Sequence, residues 1–140
     1  MLFYVIMENN NYKKFMLLAI EEAKLASKNG EVPVGAVTVY NSNVIAKSGN
    51  LMVKYSDPLM HAEMIVLKRS SEILANMGLS IRHEKLDIYV TLEPCAMCAQ
   101  AISLCRIANL YYGADDPKSG GVKYGSKVFE HSTCHHKPNV

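Results

Sequence analysis

No apolar run in this chain is long enough to cross a bilayer. The strongest terminal one, Met1 to Met7, falls far short of the roughly 20 residues a spanning helix needs. It also lacks the positive n-region and the small-residue cleavage site of a secretory signal. Neither membrane insertion nor export is expected, and the protein reads as cytoplasmic. Cysteine is scarce, four in 140 residues, and without an export signal four do not imply a disulfide framework. Charge of one sign is not in excess. A net charge of +2 tolerates an anionic partner without demanding one, so charge alone does not point to nucleic acid. Internal repeats, linkers and low-complexity segments are missing as well, so residues 1–140 read as one domain with an ordinary soluble composition. Residues 1–7, ahead of the polar run Glu8-Asn9-Asn10-Asn11, read as a start extension with no part in the fold.

Periodicity supplies the elements. Asn10 or Asn11 can cap a helix whose apolar positions Phe15, Leu18, Ala19, Ala23 and Ala26 recur at three and four, closed by Gly30. Val34 to Tyr40 turns at Asn41-Ser42-Asn43 into Val44-Ile45-Ala46, a hairpin with asparagines suited to left-handed turn positions. Lys47 to Pro58 reads as a loop, and Asp57-Pro58 opens a second helix with His61 and Glu63 just inside, running to Ser71 or on to Met77. Leu86 to Leu92 is a strand apolar enough to be covered on both faces. Glu93-Pro94 then opens a third helix to about Cys105, Ile107 to Tyr112 is a fourth strand, and Gly113 to Gly125 a glycine-rich loop. Helix alternating with strand implies α/β layers.

Two short motifs carry chemistry, His61-Ala62-Glu63 and Pro94-Cys95-Ala96-Met97-Cys98, with about 30 residues between them. Each alone is weak: H-x-E recurs by chance, and a solitary C-x-x-C has thioredoxin-like redox chemistry as its rival. Together they match a hydrolytic zinc site. Thiolates and a neutral imidazole are donors that zinc prefers, and three protein ligands leave the fourth tetrahedral position for water. Cys95 and Cys98, three apart at a helix start, share a face, and His61 converges on them if the two helices lie side by side on one sheet face. Glu63 is then placed to move protons on and off that water. The competing reading is a structural zinc whose shell is closed by a fourth ligand from Cys105, Cys134, His131, His135 or His136. It leaves Glu63 without a role. Cys105 is otherwise expected to be a small buried hydrophobe.

With these residues in hand the chain resembles the cytidine-deaminase-like superfamily, and within it the bacterial tRNA-specific adenosine deaminases. The likeness runs from about Tyr12 to His136. It rests on Glu31-Val32-Pro33-Val34-Gly35-Ala36-Val37, Gly49-Asn50, Asp57-Pro58, His61-Ala62-Glu63, Thr91-Leu92-Glu93-Pro94-Cys95-Ala96-Met97-Cys98, and Gly113-Ala114 with Asp116, Lys118 and Gly120. The resemblance implies a three-layer α/β/α fold with a mixed sheet of about five strands and one Zn2+ per subunit on His61, Cys95 and Cys98. It implies hydrolytic deamination of adenosine to inosine at the wobble position of a tRNA anticodon, by a zinc-activated water with Glu63 as proton shuttle. It further implies base contacts from Asn50 and the backbone around Ala62, contacts to flanking nucleotides from Asp116, Lys118 and Ser119, and a homodimer, for which the helix faces around Met97, Ile102 and Leu104 are candidates. Read without the family, Asp115-Asp116-Pro117-Lys118 is an ordinary polar turn. Relatives continue beyond the position of Val140 with another strand and a terminal helix, which this sequence does not include. Two other functions stay open at this point: deamination of a free base or nucleoside of guanine or cytosine type, and a catalytically silent, zinc-stabilised RNA-binding module.

Overall fold

The computed structural model describes residues 10–140, so the reading of residues 1–7 lies outside the described residues. Helix α1 spans Asn10–Lys28, and Phe15, Ala19, Ala23 and Ala26 form its buried stripe, as the three-and-four spacing requires. Gly30, at φ +76°, lets the chain leave the helix in a left-handed conformation. Strand β1, Gly35–Tyr40, pairs antiparallel with β2, Asn43–Gly49, through a turn in which Asn41 and Ser42 both take positive φ, 49° and 64°. Strand β2 takes up Lys47 to Gly49, which sequence alone left in a loop; paired with Val37, Ala36 and Gly35, they extend the ladder to the edge of the site.

Helix α2 is Ala62–Asn76, β3 Leu86–Leu92, α3 Ala96–Leu104 and β4 Asn109–Ala114. The sheet order is β2-β1-β3-β4, antiparallel except for the β3–β4 pair, which is parallel as the α3 crossover demands. It has four strands among the described residues, against about five expected. At the outer edge of β4, Asn139 makes a single parallel bridge to Asn109 where a fifth strand would run.

Side chains alternate along the strands and sort the core into two layers. Ala36, Ile88, Val90 and Leu110 face α2 and α3, packing on Val66, Leu74, Ala99 and Ile102. Val37, Val39 and Tyr89 face α1, where Tyr89 stacks on Tyr111 at 4.5 Å and meets Phe15. The outcome is a three-layer α/β/α sandwich with α2 and α3 side by side on one face, the arrangement the motif geometry called for. Helix α1 approaches the sheet very closely: a Cβ on Gly35 would overlap the Ala19 carbonyl oxygen, and one on Gly49 would lie 2.8 Å from that of Glu22.

Candidate active site

Helices α2 and α3 begin later than their sequence reads. His61 is not inside α2 but its N-cap, extended at φ −73°, ψ 149°, and Cys95 holds the same place before α3 at φ −70°, ψ 175°. Neither uses its side chain to cap the helix, so both stay free for other work. Cys98, fully buried in the first turn of α3, completes the group. His61 Nδ1 lies 3.7 Å from Cys95 Sγ and 3.6 Å from Cys98 Sγ. A tetrahedral zinc with bonds of about 2.3 Å to sulfur and 2.0–2.1 Å to nitrogen sets those atoms about 3.6 Å apart. The donor set and its spacing therefore fit zinc. The ligands stand at the starts of α2 and α3, and the α3 N–H groups of Met97 and Cys98 point at Cys95, which favours thiolate. The hydrogen bond from Cys98 lowers the Cys95 thiol to about 5, helped by the Cys98 and Met97 N–H groups and by His61, against the opposing effect of burial. Cys98 is raised in turn by the same bond, then by burial and by Glu63.

Glu63, in the first turn of α2, is 4 % exposed, and burial raises its carboxyl above the ordinary range. It opens with His61 and Cys95 into a cavity of about 220 Å³. Asn50, Glu93, Asp116 and Ser119 add polar groups to its wall, and Val32, Val34, Met52 and Leu92 make the remainder apolar. Asn50, buried at the end of β2, accepts the Ala62 N–H on Oδ1 at 2.7 Å, and its NH2 has no protein partner among the described residues.

Several sequence-predicted substrate contacts are placed differently. The Ala62 N–H is spent on Asn50 Oδ1 rather than left free for a base. Asp116 and Ser119 reach the wall, but Asp116 Oδ1 already accepts the N–H groups of Lys118 and Ser119, and the exposed Lys118 does not line the cavity. Two buried carboxylates escaped notice as individuals. Glu31 accepts the Val53 and Lys54 N–H groups, and Glu93 accepts those of Asp116, Val122, Lys123 and Tyr124. The available signal was a lone acid set among apolar residues that cannot be left in water, in Glu-Val-Pro-Val and Val-Thr-Leu-Glu-Pro.

The family model for the cytidine and deoxycytidylate deaminase zinc-binding region matches residues 9–114, which contain every one of the four central residues. The chain belongs to this deaminase family. The tRNA-specific adenosine deaminase of Agrobacterium fabrum strain C58 is 49% identical over 126 residues, covering 90% of this chain and 80% of that one. A solved tRNA:A34 deaminase, studied for A-to-I editing at the wobble position of transfer RNA, superposes with a TM-score of 0.83 at 47% identity, covering 92% of this chain and 96% of that one. The guanine deaminase of Bacillus subtilis is less similar, with a TM-score of 0.68 at 28% identity over 74% of this chain and 64% of that one.

In this deaminase the group able to hold zinc is His61, Cys95 and Cys98, one ion per subunit. Of the five residues that could have closed the shell, three are engaged elsewhere. Cys134 is buried against Ser103 Oγ at 3.2 Å, His131 Nε2 meets the Ser126 carbonyl at 2.6 Å, and His136 Nε2 meets that of Ile107 at 2.7 Å. His135 is exposed, and Cys105 is half-buried at the far end of α3 from the ligands, less enclosed than expected. Zinc held by His61, Cys95 and Cys98 would therefore keep a position for water. No helix of the described residues is long and apolar enough to cross a membrane.

Proposed function

We propose that this protein deaminates adenosine to inosine at the wobble position of a tRNA anticodon, releasing ammonia. The observation that carries the reading is the three-ligand group with buried Glu63 beside it, both opening into a cavity floored by Asn50. Similarity to tRNA-specific adenosine deaminases over nine-tenths of the chain supports the substrate. Similarity to guanine deaminase at much lower identity makes free-base deamination the weaker alternative.

The chain's own residues divide the work. His61, Cys95 and Cys98 would hold zinc, which when bound supplies a Lewis acid able to make water nucleophilic near neutral pH. Glu63 takes the proton of the incoming water on its carboxylate and delivers it to N1 of adenine, which offsets the loss of aromaticity as C6 is attacked. The same carboxylate then takes the second proton, from the oxygen now bonded to C6, and delivers it to the amine, so that the C6–N bond breaks, ammonia leaves and the C6 carbonyl of inosine forms. Its burial suits the first step, since a carboxyl whose charged form is disfavoured takes up a proton more readily than an exposed one. Asn50, oriented by the Ala62 N–H, offers its NH2 to an acceptor on the base, and Val34, Met52 and Leu92 keep water from the ring faces. Asp116 and Ser119 stand at the cavity wall where nucleotides beside the target pass. An anticodon loop is single-stranded, so extruding its base costs little.

The same reading places the enzyme in the cytoplasm and makes it a homodimer. Of the helix-face residues proposed for the interface, Ile102 lies in the core and Met97 is half-buried, whereas Leu104 is 66 % exposed beside a groove lined by Met64, Leu67 and Cys105. The interface is accordingly centred on Leu104. Depleting the protein from its source organism and analysing tRNA nucleosides tests the function: wobble inosine should vanish, and unchanged inosine would contradict the proposal.

A further inference from the structure

Glu93 follows the last residue of β3 and is 2 % exposed, yet no lysine, arginine or histidine among the described residues pairs with it. Both its oxygens are spent on one loop. Oε1 accepts the Asp116 N–H at 3.2 Å, and Oε2 accepts those of Val122, Lys123 and Tyr124 at 3.2, 3.1 and 3.1 Å. The loop closes around the carboxylate: Gly120 N–H bonds the Asp116 carbonyl at 2.8 Å, and Gly121 N–H bonds that of Pro94 at 2.7 Å. A Cβ on Gly120 would overlap Glu93 Oε2, so the two residues are built for each other. The segment held in this way carries Asp116 and Ser119 to the cavity wall.

We propose that Glu93 is a positioning residue for substrate, fixing the conformation of residues 115–124 so that Asp116 and Ser119 meet the nucleic acid in one geometry. The role rests on the reading of the cavity as the nucleotide site. Four backbone donors around one carboxylate do the work a conventional loop leaves to water, and a loop fixed in advance loses less conformational freedom on binding. Asp116 consequently contributes through its place in the loop as well as through its side chain, half of which is already engaged.

The amide of Glu93→Gln keeps the size of the side chain but can turn an oxygen to only one of the two donor groups, setting an NH2 against the other. Gly120→Ala attacks the same contact from the loop side, away from the zinc ligands in sequence. Backbone amide exchange at residues 116–124, zinc content, and kcat and KM on a wobble-A stem-loop would be measured for both. Faster exchange in that segment, one zinc per chain, and a KM raised about tenfold with kcat changed less than about threefold are expected. Unchanged exchange, or a fall in kcat with KM unaltered, would overturn the assignment. Wild-type protein that makes no inosine would remove the substrate reading, and the exchange measurement would still decide what Glu93 holds.

Discussion

Burial decides what Glu63 can do. Among the described residues no lysine or arginine pairs with this carboxylate; such a group is costly in an interior, and it persists here in the cavity wall beside the ligand group. Glu63→Ala should keep one zinc per chain and the wild-type melting temperature while losing about 10²- to 10⁴-fold in rate, as measured by single-turnover inosine formation beside metal analysis. His61→Ala should instead lose the metal, and bound zinc at wild-type stoichiometry would remove that residue from the site. These four side chains were legible in the sequence because ligand chemistry and spacing are local. The engagement of the Ala62 N–H by Asn50, 12 residues apart, was not, because such bonds exist only once the chain has closed on itself. Nor was the burial of Cys134 against Ser103, 31 residues away, which a polar stretch of sequence conceals.

Among the elements, the two functional helices show why boundaries read from sequence slipped. Proline in Asp57-Pro58 and Glu93-Pro94 suggested first turns, but both prolines sit before the helix, and the residues in the N-cap positions are His61 and Cys95, which have neither the hydroxyl nor the carboxylate usually found there. The site claimed the caps. At the other end of α3, Arg106 at φ 55° stops the helix, and Ile107 is buried before β4 begins at Asn109, so an apolar residue that read as strand serves the core instead. The α1 helix, the hairpin and β3 were readable because their periodicity, turn residues and β-branched content agree with each other. The close crossing of α1 over Gly35 was not visible. Gly35→Ala should destabilise by about 1–3 kcal/mol or more, since the opposing atoms are helix backbone that cannot rotate away. A denaturant midpoint equal to wild type would show that α1 can shift outward without loss.

For the molecule as a whole, the layer order came through from sequence, while the strand count did not. Among the described residues four strands form the sheet, and at its outer edge Asn139 makes an isolated bridge opposite Asn109, bonded to Ala108 and Leu110, a contact between residues 30 apart that no pattern announces. Held by His61 and Cys95, 34 residues apart, zinc would join the starts of α2 and α3 as well as complete the site. Chelation should therefore lower the melting temperature by about 10 °C, as expected for a ligand bound far above its dissociation constant, and a melting curve indifferent to chelator would deny zinc that structural share. Leu104→Asp should convert the proposed dimer to monomer in sedimentation, whereas wild-type protein already monomeric at working concentration would contradict that interface.

The central claim is met most directly by incubating the zinc-loaded protein with an anticodon stem-loop carrying adenosine at the wobble position, alongside free adenosine, guanine and cytidine, and analysing the nucleosides by mass spectrometry. Inosine from the RNA and no turnover of the free compounds is the predicted result. Turnover of a free base or nucleoside with the RNA untouched would contradict it, as would protein bearing one zinc per chain that deaminates nothing.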